Sequence, residues 1–418
     1  MDHVSSESDF SLISRLTSEP TSPDAEAELA AVPPSIDEMA LRTFCHSCNQ
    51  FTHKLLQKLP RHQNILFCPS QLYWTLTGLY LGSHGDTRLE LHELLNYTDV
   101  NVSPERIQQF FQNFIRGFHR RGCQQNVTLC SAICTSDCDL LFQPFCKTLH
   151  DFFSISVRSV PSNVKLERVR SEVNRWVEQS TRGLITSMIG DYTPPRRPCS
   201  LLVSAAYIEY TWGSSFGWHT TVLADFYNNG CEACKTRMLR SASCNPYIFS
   251  KALAARVLVI PGSMTDWSFV ILLPIDRKGI HVVENRLDAD VLESALQNCT
   301  DTRVELTMPN FELESSLSLM EVLQAVNVKS IFDEETAEIT GLFKAKGSCF
   351  SEIMHKSKLK LEKAGSEGEH FDNLALIVNG LKPRGVVAFH VNHPFLFLLY
   401  DAKNNAITFV GRVVEMVW

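Results

Sequence analysis

The chain has 418 residues, 44% hydrophobic and 20% charged, with a formal net charge of −7. That is a globular composition with length for a large core, and the acidic balance gives no global attraction to nucleic acid. No apolar run reaches the roughly 18 residues of a spanning helix, so neither a nucleic acid nor a membrane is expected as a partner.

Residues 1–34 are rich in Ser, Glu, Asp and Pro, with no basic stretch followed by an apolar one; they read as a disordered tail without a signal peptide. Ser35 and Glu38 then make a capping-box pattern behind Pro33-Pro34. Phe44, Cys48, Phe51, Leu55 and Leu59 follow at helical spacing. A second helix is predicted from Arg106 to Arg121, with Ile107, Phe110, Phe111, Phe114 and Phe118 on one side. A third carries Val169, Val173, Trp176 and Val177 on one face. Strand-like runs occupy 201–210, 255–262, 268–275 and 306–313, with several more in the last fifty residues. Helices dominate the first half and strands the second, which favours α+β over a βαβ array. No repeat or linker divides the chain, so a single domain is expected over 35–418.

Four patterns bear on chemistry. Gly213-Ser214-Ser215-Phe216-Gly217 fits G-x-S-x-G, a nucleophile elbow that needs a strand before it and a helix after it; the strand is there and the helix pattern is weak. Cys45-His-Ser-Cys48 with His53, and Cys231-Glu-Ala-Cys234, are two C-x-x-C pairs far apart in sequence, which read as structural cysteines rather than a zinc site. The fourteen cysteines are reduced in an intracellular protein and partly paired in a secreted one, whereas the sequons at Asn96, Asn101, Asn126 and Asn298 lean toward a secreted glycoprotein. Arg116, His119, Arg120 and Arg121 cluster at the end of the second helix, where cations also complement the helix dipole. Finally, the acidic, irregular segment Glu362 to Arg384 is too long for an ordinary connection and marks a functional or disordered loop.

The residues around that segment carry a family resemblance. FHVNHPFLFLL at Phe389–Leu399 resembles the C-terminal signature of the serpins. Residues 64–87, VNRWVEQSTRGLITSMI (173–189), LVSAAYIEYTWGSSF (202–216), residues 308–342, SEIMHK (351–356) and FVGRVV (409–414) are similar to further serpin motifs in the family's order. The resemblance spans about Met39 to Val414. It implies an α+β serpin fold of three β-sheets and about nine helices with an exposed reactive-centre loop, and it accounts for Trp212 and Phe216 better than the elbow does. The chain departs from the family at Cys68 and Gln71, where two serines are usual, at Ser204, where Asn is usual, and at Glu415, where Asn-Pro is usual.

The resemblance implies a serine protease inhibitor without a catalytic group, cofactor or metal of its own. A serine protease cuts the loop, an acyl-enzyme forms, and the freed loop inserts into the main sheet before deacylation. It further implies a monomer in an extracellular setting, with a cytoplasmic alternative. Its shutter, a polar cluster beneath the main sheet, falls on Cys68, Gln71, Ser204 and His355. The hinge falls on Gly365, Ser366, Glu367 and Gly368, and family spacing puts the reactive bond at Asn379–Gly380. Arg384–Gly385 is the better trypsin-like alternative. Arg116, Arg120 and Arg121 would form a site for a sulfated glycan. The run Glu369-His370-Phe371-Asp372 replaces the small, mostly Ala residues of an inhibitory hinge, so impaired inhibition is expected. The rival is a non-inhibitory serpin acting as a carrier, chaperone or interaction protein.

Overall fold

A computed structural model describes residues 38–97, 103–123, 126–136, 141–160, 166–190, 200–213, 220–262, 267–344, 347–361 and 385–416. The tail assigned to 1–34, Ser215, the hinge, Asn379–Gly380 and Arg384 lie outside the described residues.

The fold opens with α1 (Glu38–Leu56), whose Phe44, Cys48, Phe51 and Leu55 are buried as their spacing predicts. A short strand, β1 (Ile65–Phe67), leads into α2 (Pro69–Leu81). Pro69 sits at the first helical position, where the missing N–H costs nothing. Every residue of α2 from Pro69 to Tyr80 is buried, so this helix is covered on all sides, its polar Ser70, Gln71, Thr75 and Thr77 each hydrogen-bonded. Then follow α3 (Gly85–Leu94), α4 (Pro104–Cys123), β2 (Thr128–Thr135), α5 (Gln143–Phe153), β3 (Ile155–Ser159), α6 (Leu166–Ser180) and β4 (Ser200–Tyr210). The second half brings β5 (Thr220–Asn228), β6 (Glu232–Ser250), β7 (Ala255–Pro261), β8 (Trp267–Pro274), α7 (Ile280–Arg286), α8 (Ala289–Gln297), β9 (Thr300–Pro309), β10 (Glu312–Ser318) and α9 (Met320–Gln324). The last strands are β11 (Glu352–Leu361), β12 (Val387–His390), β13 (Phe395–Asp401) and β14 (Ala406–Val413).

A five-stranded main sheet has the order β10-β11-β4-β2-β3. Its central strand β4 is buried almost throughout, because both faces are covered. On one side α6 sets Val169, Val173, Trp176 and Val177 against Ala132, Cys134, Leu201, Val203, Ala205, Tyr207 and Met354. Losing a side chain such as Trp176 from this layer costs about 3–5 kcal/mol. On the other side lies α2, hydrogen-bonded to β2 through Gln71.

The remaining strands join into one nine-stranded array, β1-β14-β13-β8-β7-β6-β9-β12, with β5 on β6. The expected second and third sheets are therefore continuous through hydrogen bonds. The long strand β6 makes the junction: Glu232–Arg240 pairs with β5, Met238–Tyr247 with β9 and Tyr247–Ser250 with β7. With the nine α-helices among the described residues, the fold is the expected α+β arrangement.

Candidate functional site

The chain leaves the main sheet at the end of β11, Leu361, and re-enters the fold at Gly385, just before β12 in the other array. The site is the seam beside that exit. There β11 and β4 run parallel through ten register pairs, from Glu352↔Leu201 to Leu361↔Tyr210. A strand folding back from Leu361 into this seam would be antiparallel to both neighbours. It would exchange one parallel ladder for two antiparallel ones, the slightly more stable pairing per residue.

Side chains of β11 alternate across the sheet. His355, Ser357, Leu359 and Leu361 face inward, whereas Lys356, Lys358 and Lys360 face the opposite side. Inside, His355 is fully buried. Its Nε2 accepts the backbone N–H of Cys68 at 2.9 Å, which assigns the ring proton to Nδ1, 2.7 Å from Ser204 Oγ across the seam. Ser357 Oγ lies 2.8 Å from the same Nε2, and Ser204 Oγ donates to Met354 O at 3.3 Å. Burial lowers the His355 pKa from 6.5 to about 3, so the imidazole is neutral at physiological pH.

Cys68 is the residue before α2 and contributes its amide to this cluster; burial pushes its thiol up to about 12, so it is no nucleophile at neutral pH. Gln71 sits one turn on and does not reach His355. Its Nε2 donates to Cys130 O at 2.9 Å, Ser131 Oγ at 3.1 Å and Ala205 O at 3.3 Å, tying α2 to β2 and β4. Its Oε1 is buried without a hydrogen-bond partner. Of the four sequence-derived shutter residues, Cys68, Ser204 and His355 thus meet in one cluster and Gln71 makes a separate anchor.

Ion pairs line the outer side. Lys360 Nζ lies 2.5 Å from Glu209 Oε1, directly across the seam in register. This pairing raises the Lys360 pKa, first through the hydrogen bond to Glu209. Lys356, its side chain only 9% exposed, pairs with Glu314 of β10 at 2.7 Å and donates to Ser187 Oγ at 3.3 Å, so it also pins the chain after α6. Lys358 approaches the same Glu314 at 3.9 Å. Lys356 closes the SEIMHK motif, but none of these lysines is marked as a site residue by the sequence. Their spacing in Lys356-Ser-Lys-Leu-Lys360 was the available signal, but the acids they meet come from other strands.

On α4, Arg116 and Arg120 are exposed one turn apart, while Arg121 belongs to the helix with its side chain outside the described residues. His119 turns partly inward, and burial lowers its pKa, so it adds no charge to the pair at neutral pH. Cys45 and Cys48 are both buried in α1, and Cys48 is pushed well above the usual thiol range by desolvation. The Cys231–Cys234 pair flanks the start of β6, with Cys231 exposed. Gly213, first residue of the G-x-S-x-G run, packs so tightly that a Cβ would stand 2.9 Å from Pro261 O, which explains that glycine by packing. Asn96 is half-buried with its amide donating to Gln50; Asn126 and Asn298 are exposed, and Asn101 lies outside the described residues.

Known proteins resemble the chain over the same span. The family model described as Serpin (serine protease inhibitor) matches residues 46–416. Intracellular coagulation inhibitor 2 of Tachypleus tridentatus is 26% identical over 370 residues, covering 88% of this chain and 90% of that protein. Serpin B3 of Homo sapiens is 26% identical over 367 residues, covering 84% and 93%. Among solved structures, mouse protein-Z dependent protease inhibitor superposes with a TM-score of 0.80 at 20% identity, over 91% of this chain and all of that one. Uncleaved ovalbumin gives 0.78 at 18% identity, over 89% of this chain and all of the other.

Proposed function

Because the chain belongs to the serpin family, we propose that it presents residues 362–384 as bait to a serine protease and inhibits by loop insertion, with impaired efficiency. The observation that carries this reading is the β4–β11 seam. It is parallel, closed over ten pairs, adjacent to the loop's exit, and crossed by few side-chain polar contacts besides its backbone ladder. A seam of that kind can accept a strand.

The hinge sets the efficiency. If Ser366 turns inward on insertion, so do Gly368, His370, Asp372, Leu374 and Leu376. Burying an unpaired carboxylate costs several kcal/mol or forces it to enter protonated. His370 beside Asp372 softens that penalty without removing it. Insertion is then favourable but slow, and deacylation frees the protease first. The same hinge favours the second reading, a non-inhibitory serpin.

Incubation with a panel of serine proteases separates the two. The expected result is mostly cleaved serpin with a minority of SDS-stable complex, and replacing Glu369–Asp372 with alanines should move the stoichiometry of inhibition toward one. Near-equimolar complexes from the unmodified chain refute the impaired hinge. Cleavage with no complex, unchanged by the alanines, selects the non-inhibitory reading. Limited trypsinolysis should nick Arg384–Gly385 first, since Pro383 spoils the Lys382 bond; an intact Arg384–Gly385 bond after core-sparing digestion returns the assignment to Asn379–Gly380.

Exposed Arg116 and Arg120 support a sulfated-glycan contact on α4, and the chain is read as a monomer with the tail at 1–34 preceding one domain. For the compartment, the word intracellular in the names of two relatives favours the cytoplasmic alternative over a secreted glycoprotein.

A further inference from the structure

The bait segment is fastened to the fold at two ends, and the fastenings are unequal. At Leu361 the chain leaves β11, which pairs with β4 over ten positions and with β10 over seven. At Gly385 it turns into β12, which pairs with β9 over four positions, Val387↔Val304 to His390↔Thr307, and ends the strand order of its array. A four-residue parallel strand at an edge is the weaker anchor. Beyond it the backbone takes hold again: Val391 N donates to Thr307 O at 2.8 Å, and Tyr227 N donates to Asn392 O at 2.8 Å.

A side chain from outside the ladder reinforces the weak anchor. Arg256 of β7 is half-buried and reaches across to β12, where its Nη2 donates to Ala388 O at 2.5 Å. Its guanidinium carbon stands 4.7 Å from the centre of the Phe389 ring and 5.7 Å from that of Tyr247 on β6. Arg256 Nε donates to the Tyr247 hydroxyl at 3.3 Å. The two rings meet edge to face at 6.2 Å, and Phe389 is fully buried. No carboxylate pairs with Arg256 among the described residues. A half-buried cation is thus held by a carbonyl, a phenol and two ring faces, and its contacts join β6, β7 and β12 at one point. That point lies between Gly385 and the backbone bonds at Val391 and Asn392, on the stretch that a pull from the loop reaches first.

In the insertion reading, the seam takes up the loop from the Leu361 end. Each residue taken from an uncleaved loop removes slack, and the pull falls on Gly385 and then on β12. Cleavage relieves it, because the new end is free. We propose that Arg256 is a positioning residue that clasps β12 and so keeps the uncleaved loop out of the seam until a protease cuts it. The inference rests on the loop-insertion reading and names what makes insertion conditional on cleavage.

The test incubates the full, uncleaved chain and its Arg256→Met variant at physiological temperature. Samples taken over time are weighed by mass spectrometry, exposed briefly to trypsin, and melted. A chain that has taken up its loop uncut keeps its mass, resists trypsin at Arg384–Gly385 and melts higher. Losing a charged hydrogen bond and a cation–π contact should speed that conversion by roughly thirtyfold or more. Hydrogen exchange should quicken in 387–390 and stay unchanged in β11, a pattern that general destabilisation does not give. Arg303→Gln, on the exposed side of the neighbouring β9, removes a charge and should change neither rate. Tyr247→Phe removes only the acceptor at Nε and should move both rates in the same direction by about threefold; it decides the matter if Arg256→Met does not fold. The proposal is overturned if the variants convert no faster than the parent chain, if exchange in β12 is unchanged, or if Arg303→Gln matches Arg256→Met. Protease-cleaved parent chain, melted alongside, separates the two readings. A raised melting temperature keeps loop insertion standing whatever Arg256 does, and an unchanged one removes insertion and the clasp together.

Discussion

Two regions bury a basic side chain between strands, and they do so in opposite ways. In the β4–β11 seam the base is His355, held neutral by burial and bonded only to neutral partners. At the β1–β14 edge it is Arg412, fully buried and ion-paired with Glu284 of α7, itself 4% exposed, with Pro60 O and Gln63 O as further acceptors. A neutral hydrogen bond contributes about 1 kcal/mol net, so a seam closed by such bonds can reopen. A buried ion pair cannot be halved cheaply, because the remaining charge is stranded in low dielectric. Across the β4–β11 seam the buried contact is neutral, whereas the buried charges at Arg412 and Lys356 are paired with acids outside that seam.

The largest expected effect comes from breaking the charged side of this contrast. Arg412→Met leaves Glu284 unpaired except for His281, 2.9 Å from it, and should cost about 3–5 kcal/mol. Urea denaturation should show a lower midpoint with an unchanged slope; a midpoint within error of the parent removes the distinction between the regions.

The second effect is the pH response of the neutral side. The folded-state pKa of His355 lies below its ordinary 6.5. The unfolded chain therefore binds the proton more readily, and the stability that His355 contributes is present above pH 6.5. It is lost as pH falls toward about 3, the folded-state value. The loss should amount to a few kcal/mol. Replacement of His355 by Gln should flatten this part of the stability–pH curve; an identical slope in the variant shows that other groups set the acid response.

The smallest effect concerns the outer ion pair. Lys360→Gln removes the contact with Glu209 across the seam at an exposed position, where such pairs contribute little to stability. Equilibrium melting should barely move. Under the proposed mechanism, insertion of the cleaved loop, followed through the melting temperature of the cleaved chain, should become faster and lose its dependence on salt. A rate unchanged at low salt would leave the inner hydrogen bonds as the barrier.

Much of the fold was legible in particular residues. The faces of α1, α4 and α6 follow from apolar spacing, and their predicted residues are buried, with Phe114 only half-buried. The helix α2 has no such spacing, since a helix buried on all sides carries no periodic signal; only the resemblance at residues 64–87 points to it. The strand β6 carries no alternating signal because the large apolar residues of Glu232–Ser250 fall in two clusters, Met238-Leu239 and Tyr247-Ile248-Phe249, and pairing with β5, β7 and β9 outweighs its weak pattern. The site was less legible still. Register between β4 and β11 joins segments 151 residues apart, so neither Lys360–Glu209 nor His355–Ser204 leaves a local trace. Arg412 read only as part of a closing strand; that it is a buried charge emerges once Glu284 is seen beside it.

The order β1-β14-β13-β8 has a consequence for biosynthesis. The last two strands of the described fold do not lie at a margin; they fill the interior of the array, between β8 and β1. A nascent chain emerging from the ribosome can assemble its helices early. The edges of β8 and β1 stay unpaired until β13 and β14 arrive. Such edges are templates for pairing with other chains, and closures of this range are slow. Premature termination before Phe395 should therefore yield aggregates rather than a shortened soluble domain.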